Sequence, residues 1–112
     1  MAVEVSWSIQ ALEDIENIAE FIAKDSEFYA QLQSERFFKR VKILETYPKF
    51  GRVVPEQELK SIRQLIDENY RIIYRFVSKS RIDILTIQHS SRLLSNNPLF
   101  GEQLTLANLL TH

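Results

Sequence analysis

A few residues of this 112-residue chain have side chains suited to holding an anion and moving a proton. Arg71 and Arg75 fall in the run Asn69-Tyr70-Arg71-Ile72-Ile73-Tyr74-Arg75-Phe76-Val77. Arg63 and Lys60 precede that run and Arg92 follows it. A guanidinium presents a planar fork of donors that matches a phosphate bidentately. His89 is of the type that changes charge near neutral pH. Glu56, in a loop after Pro55, can accept a proton. Each also has a plain structural reading. His89 ends a strand and can bond a neighbouring backbone group. Arg71 and Arg75 can pair with acids, and Glu56 can be a solvated loop acid. Two histidines far apart, His89 and His112, make no metal site. No cofactor is expected.

Position decides between these readings, and position comes from the elements. In the central run, Tyr70, Ile72, Tyr74 and Phe76 point one way, and Arg71, Ile73, Arg75 and Val77 the other. The first set is apolar enough to receive helices. The second sets two cations as neighbours on an open face. Arg71 is therefore expected to be replaceable without loss of fold.

Earlier in the chain, Val3 to Trp7 alternates as a short strand. Ser8 is a candidate N-cap for a helix running to about Lys24. In that helix Ala11, Ile15, Ile18 and Ile22 form an apolar stripe, widened by Leu12 and Ala19. Asp25 or Ser26 caps a second helix, from about Glu27 to Glu45, with Ala30, Phe37, Val41 and Leu44 inward and Phe38 beside them. The short link makes the two antiparallel. Pro48 and Gly51 punctuate, and residues 51–56 form a loop. Strands at 62–66, 70–77 and 81–89 follow, with turns at Asp67-Glu68-Asn69, where Asn69 suits left-handed geometry, and at 78–80. The order β-α-α-β-β-β argues for an α+β fold, a helical hairpin on one face of a small antiparallel sheet. Residues 1–98 make the domain, and 99–112 a tail or short helix.

Composition bounds the function classes. One domain is expected from the length. The absence of cysteine removes disulfides, thiolate nucleophiles and cysteine-bound zinc. No apolar run reaches the ~18 residues of a membrane span, and no signal pattern opens the chain, so a cytoplasmic location is expected. Charge is unevenly spread. Residues 1–59 carry seven basic and eleven acidic side chains, net −4; residues 60–92 carry seven and three, net +4. A local cationic field of this kind attracts polyanions on a nearly neutral protein, or solvates a sheet face.

Pro48, Gly51-Arg52, Pro55-Glu56, Ile62-Arg63-Gln64-Leu65-Ile66, Asn69 to Arg75, and His89 with Arg92-Leu93 resemble, as an ordered set, the RelE/ParE toxin superfamily. Trp7-Ser8, Ala11, Asp14-Ile15 and Ile18 match the same pattern. The resemblance spans roughly Val3 to Leu94. It implies a toxin of a type II toxin–antitoxin module, neutralised by a cognate antitoxin that wraps it with a disordered segment, by way of the sheet and the helical hairpin. Sequences with this signature are grouped as plasmid-stabilisation proteins, and the signature leans toward ParE, whose members poison DNA gyrase.

The alternative that the resemblance implies is a RelE- or YoeB-like mRNA interferase, a metal-independent endoribonuclease acting on ribosome-bound mRNA. There Glu56, Arg71 and His89 stand in places similar to the catalytic residues of YoeB-type nucleases, with Arg63, Arg75, Arg92 and Lys60 on phosphate or target. Such cleavage needs a base for the 2′-OH, an acid for the leaving oxygen and cations for the phosphate. The lysine-rich loop and the terminal catalytic tyrosine of some nucleases of the family are missing here, and the tail after Pro98 departs from the usual short ending. A degenerate toxin kept for antitoxin binding is a third reading.

Overall fold

The computed structural model describes residues 3–55 and 59–90. Glu56, Arg92 and the segment 99–112 lie outside the described residues.

The elements run β1 (Glu4–Trp7), α1 (Ile9–Ala23), α2 (Glu27–Val41), a 3-10 turn (Lys42–Glu45), β2 (Arg52–Val53), β3 (Ile62–Asp67), β4 (Tyr70–Ser78) and β5 (Arg81–His89). Both expected caps form. The Ser8 hydroxyl accepts from the Ala11 N–H and the Ser26 hydroxyl from the Tyr29 N–H, each satisfying a donor that the helix start leaves free. The second helix is α-helical only to Val41, and its last four residues tighten into the 3-10 turn, a common helix ending.

The five strands lie in the order β1-β5-β4-β3-β2. β3 to β5 form the expected antiparallel meander and β2 joins β3 antiparallel, but β1 pairs parallel with β5, Glu4 opposite Arg81 and Trp7 opposite Ile84. The sheet is therefore mixed. The long connection that such parallel pairing requires runs through the helical hairpin and then β2 to β4. The loop expected at 51–56 contributes the two-residue edge strand β2. In the β3–β4 turn the left-handed residue is Glu68 (φ 53°), not Asn69. The Arg36 guanidinium reaches both this residue and the adjacent Asp67, at 2.9 and 2.7 Å, and holds the turn from α2.

One face of the sheet meets the helices. Ala11, Ile15, Phe37, Val41 and Leu44 pack there against Leu65, Ile72, Tyr74, Ile82, Ile84 and Ile87. Leu12, expected in the α1 stripe, is exposed, and Phe38 lies outside the core with its ring 4.8 Å from that of Trp7.

β1 stops at Trp7, yet β5 continues past Ile84, and α1 takes over its free edge. The Ser8 N–H donates to the Ile84 carbonyl, and the Ser8 hydroxyl to the Leu85 carbonyl at 2.7 Å. Further along the helix, an Asp14 carboxylate oxygen accepts from the Ile87 N–H at 2.9 Å and from the Thr86 hydroxyl. Side chains thus replace a strand neighbour, which buried edge groups need.

Candidate functional site

Strand register assigns each candidate a face. Arg71 stands opposite Gln88 on β5 and Ile66 on β3; Arg75 stands opposite Asp83 and Ile62. All share the face away from the helices, because cross-strand partners point the same way. The expected orientation of the two arginines is met, but not their freedom. Arg71 is only 7% exposed, and its Nε donates to Gln64 Oε1 at 2.7 Å. Gln64, Gln88 and Ile73 are buried on the same face. Arg75 is half-buried and paired through Nη2 with Asp83 Oδ2 at 3.0 Å; its Nε meets no acceptor among the described residues. Asp83 holds Arg81 as well, at 2.9 Å, a bond that raises the Arg81 pKa. Arg71 and Arg75 are also not neighbours. Four strand rises, ~13 Å, separate them.

Arg63 points to the other face, opposite Tyr74. Its Nη1 donates to the carbonyls of Gly51, at 2.7 Å, and Lys49, at 3.2 Å. It thereby fastens the 49–51 loop to the sheet. Tyr74, fully buried, fastens the same loop from beside it: its hydroxyl donates to the Pro48 carbonyl at 3.0 Å and accepts from the Gly51 N–H at 2.9 Å. Burial raises the Tyr74 pKa, with the Gly51 bond and the Arg63 charge opposing. Gly51 needs no unusual φ here, but a Cβ would lie 2.6 Å from both the Gln64 carbonyl oxygen and the Tyr74 ring.

His89 is exposed at the end of β5, opposite Tyr70, with ring centroids 5.7 Å apart, edge to face. Tyr70 in turn meets Phe37 at 5.3 Å, and burial raises its pKa. By this register His89 leaves the sheet on the helix side and Arg71 on the other. Lys60 is exposed before β3. The described residues therefore bring Arg71, Gln64 and Gln88 together, and separately Arg75, Asp83 and Arg81; they do not join Arg71 to Arg63 or Arg75. Sequence reasoning missed Gln64 and Gln88. Their alternation on strands flanking Arg71 was the available signal.

What the arrangement can do is hold one largely buried guanidinium in an amide frame. Arg63, Arg75 and Arg81 are engaged within the chain. Elsewhere, Phe21, Phe28 and Tyr29 stand exposed about the α1–α2 link, the first two at 70%. Isolated apolar residues are ordinary on a surface, but three aromatics at one tip suit contact with another protein.

A family model described as the ParE toxin of the type II toxin–antitoxin system parDE matches residues 5–94. No curated protein matches the chain. Among solved structures, a chain from the chromosomal ParDE system of P. aeruginosa is similar at 22% identity and a TM-score of 0.65, covering 79% of this chain and 96% of its own. A chain from the RelBE2 toxin–antitoxin complex of Mycobacterium tuberculosis is similar at 17% identity and a TM-score of 0.52, covering 80% and 99%. These two similarities show the shared fold.

Proposed function

The chain belongs to the ParE toxin family of type II toxin–antitoxin systems, and from that premise we propose that it arrests growth by binding DNA gyrase and is neutralised by a cognate antitoxin. The observation that carries the choice of target is the family match over residues 5–94. The geometry supports it in two ways. A nuclease that stabilises a phosphorane-like transition state needs several cations directed at one point. Here Arg63 is tied to loop carbonyls, Arg75 to Asp83 and Arg71 to Gln64. The exposed aromatics of the hairpin tip supply instead a surface for a protein.

The test joins two readouts after induction in a bacterial host. Covalent gyrase–DNA complexes are expected to accumulate within minutes, and the purified protein is expected to inhibit supercoiling by gyrase. New RNA 5′ ends phased to codons, with supercoiling unaffected, would overturn the gyrase reading and make the protein an mRNA interferase. The antitoxin is tested by co-expressing the neighbouring reading frame, which is expected to restore growth and co-purify.

A further inference from the structure

At the other end of β4 from Tyr70 lies a cleft beside the loop that Tyr74 and Arg63 fasten. It measures about 580 Å³ and is open on one side. Tyr47, Pro48, Phe50 and Phe76 form its apolar walls, and Lys49 and Lys79 stand at its rim. Tyr47 and Phe50, at 62% and 52% exposed, are unusually bare for aromatics. From Tyr70 to Phe76 is six strand rises, ~20 Å, and Phe76 faces the helix side. The cleft is thus remote from His89 and on the opposite face from Arg71.

Its electrostatics have one sign. The Lys49 ammonium sits 4.9 Å from the centroid of the Phe76 ring, and the Arg40 guanidinium 5.7 Å from that of Phe50. With Lys79 this places three cations around four apolar walls, and no carboxylate lines the cleft among the described residues. The walls are held firmly. Pro48 is bonded through its carbonyl to the Tyr74 hydroxyl, and the Lys49 carbonyl to Arg63. The volume lies within the ~300–1,000 Å³ of ligand-sized clefts. An apolar side chain buried between Tyr47, Phe50 and Phe76 would place carboxylates on neighbouring residues against Lys49 and Lys79.

We propose that this cleft docks an acidic peptide segment of the neutralising partner protein, with one large apolar side chain as anchor and carboxylates on either side of it. The inference rests on the reading that a partner protein neutralises this chain. It adds where that partner is held and what its segment is made of. The pairing steers encounter through opposite charge, while the anchor supplies apolar burial.

Two experiments keep the cleft separate from the wider reading. In the first, the isotopically labelled free protein is titrated with the peptide Glu-Glu-Trp-Glu-Glu, blocked at both ends, and followed by amide chemical shifts. Shifts are expected at residues 46–50, 76 and 79. The double variant Lys49→Glu, Lys79→Glu is expected to bind about tenfold more weakly, since two exposed ion pairs become repulsions. Shifts elsewhere only, equal binding by the double variant, or equal binding of Lys-Lys-Trp-Lys-Lys would overturn the proposal. In the second, lysine acetylation is compared in the free chain and in its complex with the co-expressed partner. Protection of Lys49 and Lys79 is expected. A complex that forms while both stay fully reactive overturns the cleft and leaves the toxin reading standing. Failure to form any complex counts against the antitoxin reading, and the titration then decides the cleft alone.

Discussion

Tyr74 and Gly51 fit each other through a donor, an acceptor and an absence. The Gly51 N–H donates to the Tyr74 hydroxyl at 2.9 Å, the hydroxyl donates on to the Pro48 carbonyl, and the lack of a Cβ at Gly51 is what allows the ring to approach. The two positions should therefore respond differently to change. Tyr74→Phe keeps the ring and strips the hydroxyl from two backbone groups. It is expected to cost about 1–3 kcal/mol, the usual penalty of unsatisfied buried partners. Gly51→Ala forces a methyl against backbone and ring at 2.6 Å, and about 3 kcal/mol is expected, the upper end of overpacking. Urea unfolding measures both. A Gly51→Ala midpoint equal to that of the natural chain would refute the fit.

The same hydroxyl gives stability an alkaline limit. Burial raises the pKa of Tyr74, and also that of Tyr70, above the ordinary 10.0. A raised pKa in the fold means that the folded state holds its proton more tightly than the unfolded chain. The contribution is then complete below pH 10 and is lost as pH rises through the folded value. Thermal stability should fall above about pH 10, and phenolate absorbance should rise together with unfolding. In Tyr74→Phe this alkaline decline should be smaller. An equal decline in the variant would assign it to other groups.

Asp14 is expected to matter far more than a carboxylate on a helix surface usually does. It accepts from the Ile87 N–H and the Thr86 hydroxyl, where β1 has already ended. Asp14→Ala leaves that part of the β5 edge without a partner, at about 1–3 kcal/mol. Amide exchange at Ile87 is the specific readout. It should speed up strongly in Asp14→Ala, while exchange at residues of β3 changes only with global stability. Uniform acceleration across the sheet would show that Asp14 has no special hold on this edge.

Asp14 also shows where legibility in sequence ended. Local rules were enough for much of the fold. Ser8 and Ser26 cap as their types suggest, β5 spans Arg81 to His89 as its alternation does, and Tyr70, Ile72, Tyr74 and Phe76 face the helices. These features depend on residues a few positions apart. The parallel pairing of β1 with β5, the Asp14 bond to Ile87 and the Arg63 tie to Gly51 join residues 12 to 77 positions apart, and no local period encodes them. Arg71 was legible as to face and not as to burial, because burial depends on Gln64 and Gln88 flanking it from neighbouring strands. The candidate set Glu56, Arg71 and His89 was assembled by likeness. Register separates the last two by face, and Glu56 lies outside the described residues.

That separation makes a last prediction about Arg71 and His89. Residues that act as one unit show non-additive losses, since removing either already disables the unit. Tyr70 is paired with His89 and Arg71 with Gln88, so alternation sends the two side chains to opposite faces. Their effects should therefore multiply. If Arg71→Lys and His89→Ala each weaken growth arrest, the double variant is expected to show the product of the two losses, measured as the inducer level needed to halt growth. Lysine is the choice at 71 because Arg71→Ala would leave the Gln64 amide buried without its donor and cost about 1–3 kcal/mol in stability, confounding the assay. A double variant no weaker than the weaker single one would place both side chains in one catalytic unit, and would return the nuclease reading to the front.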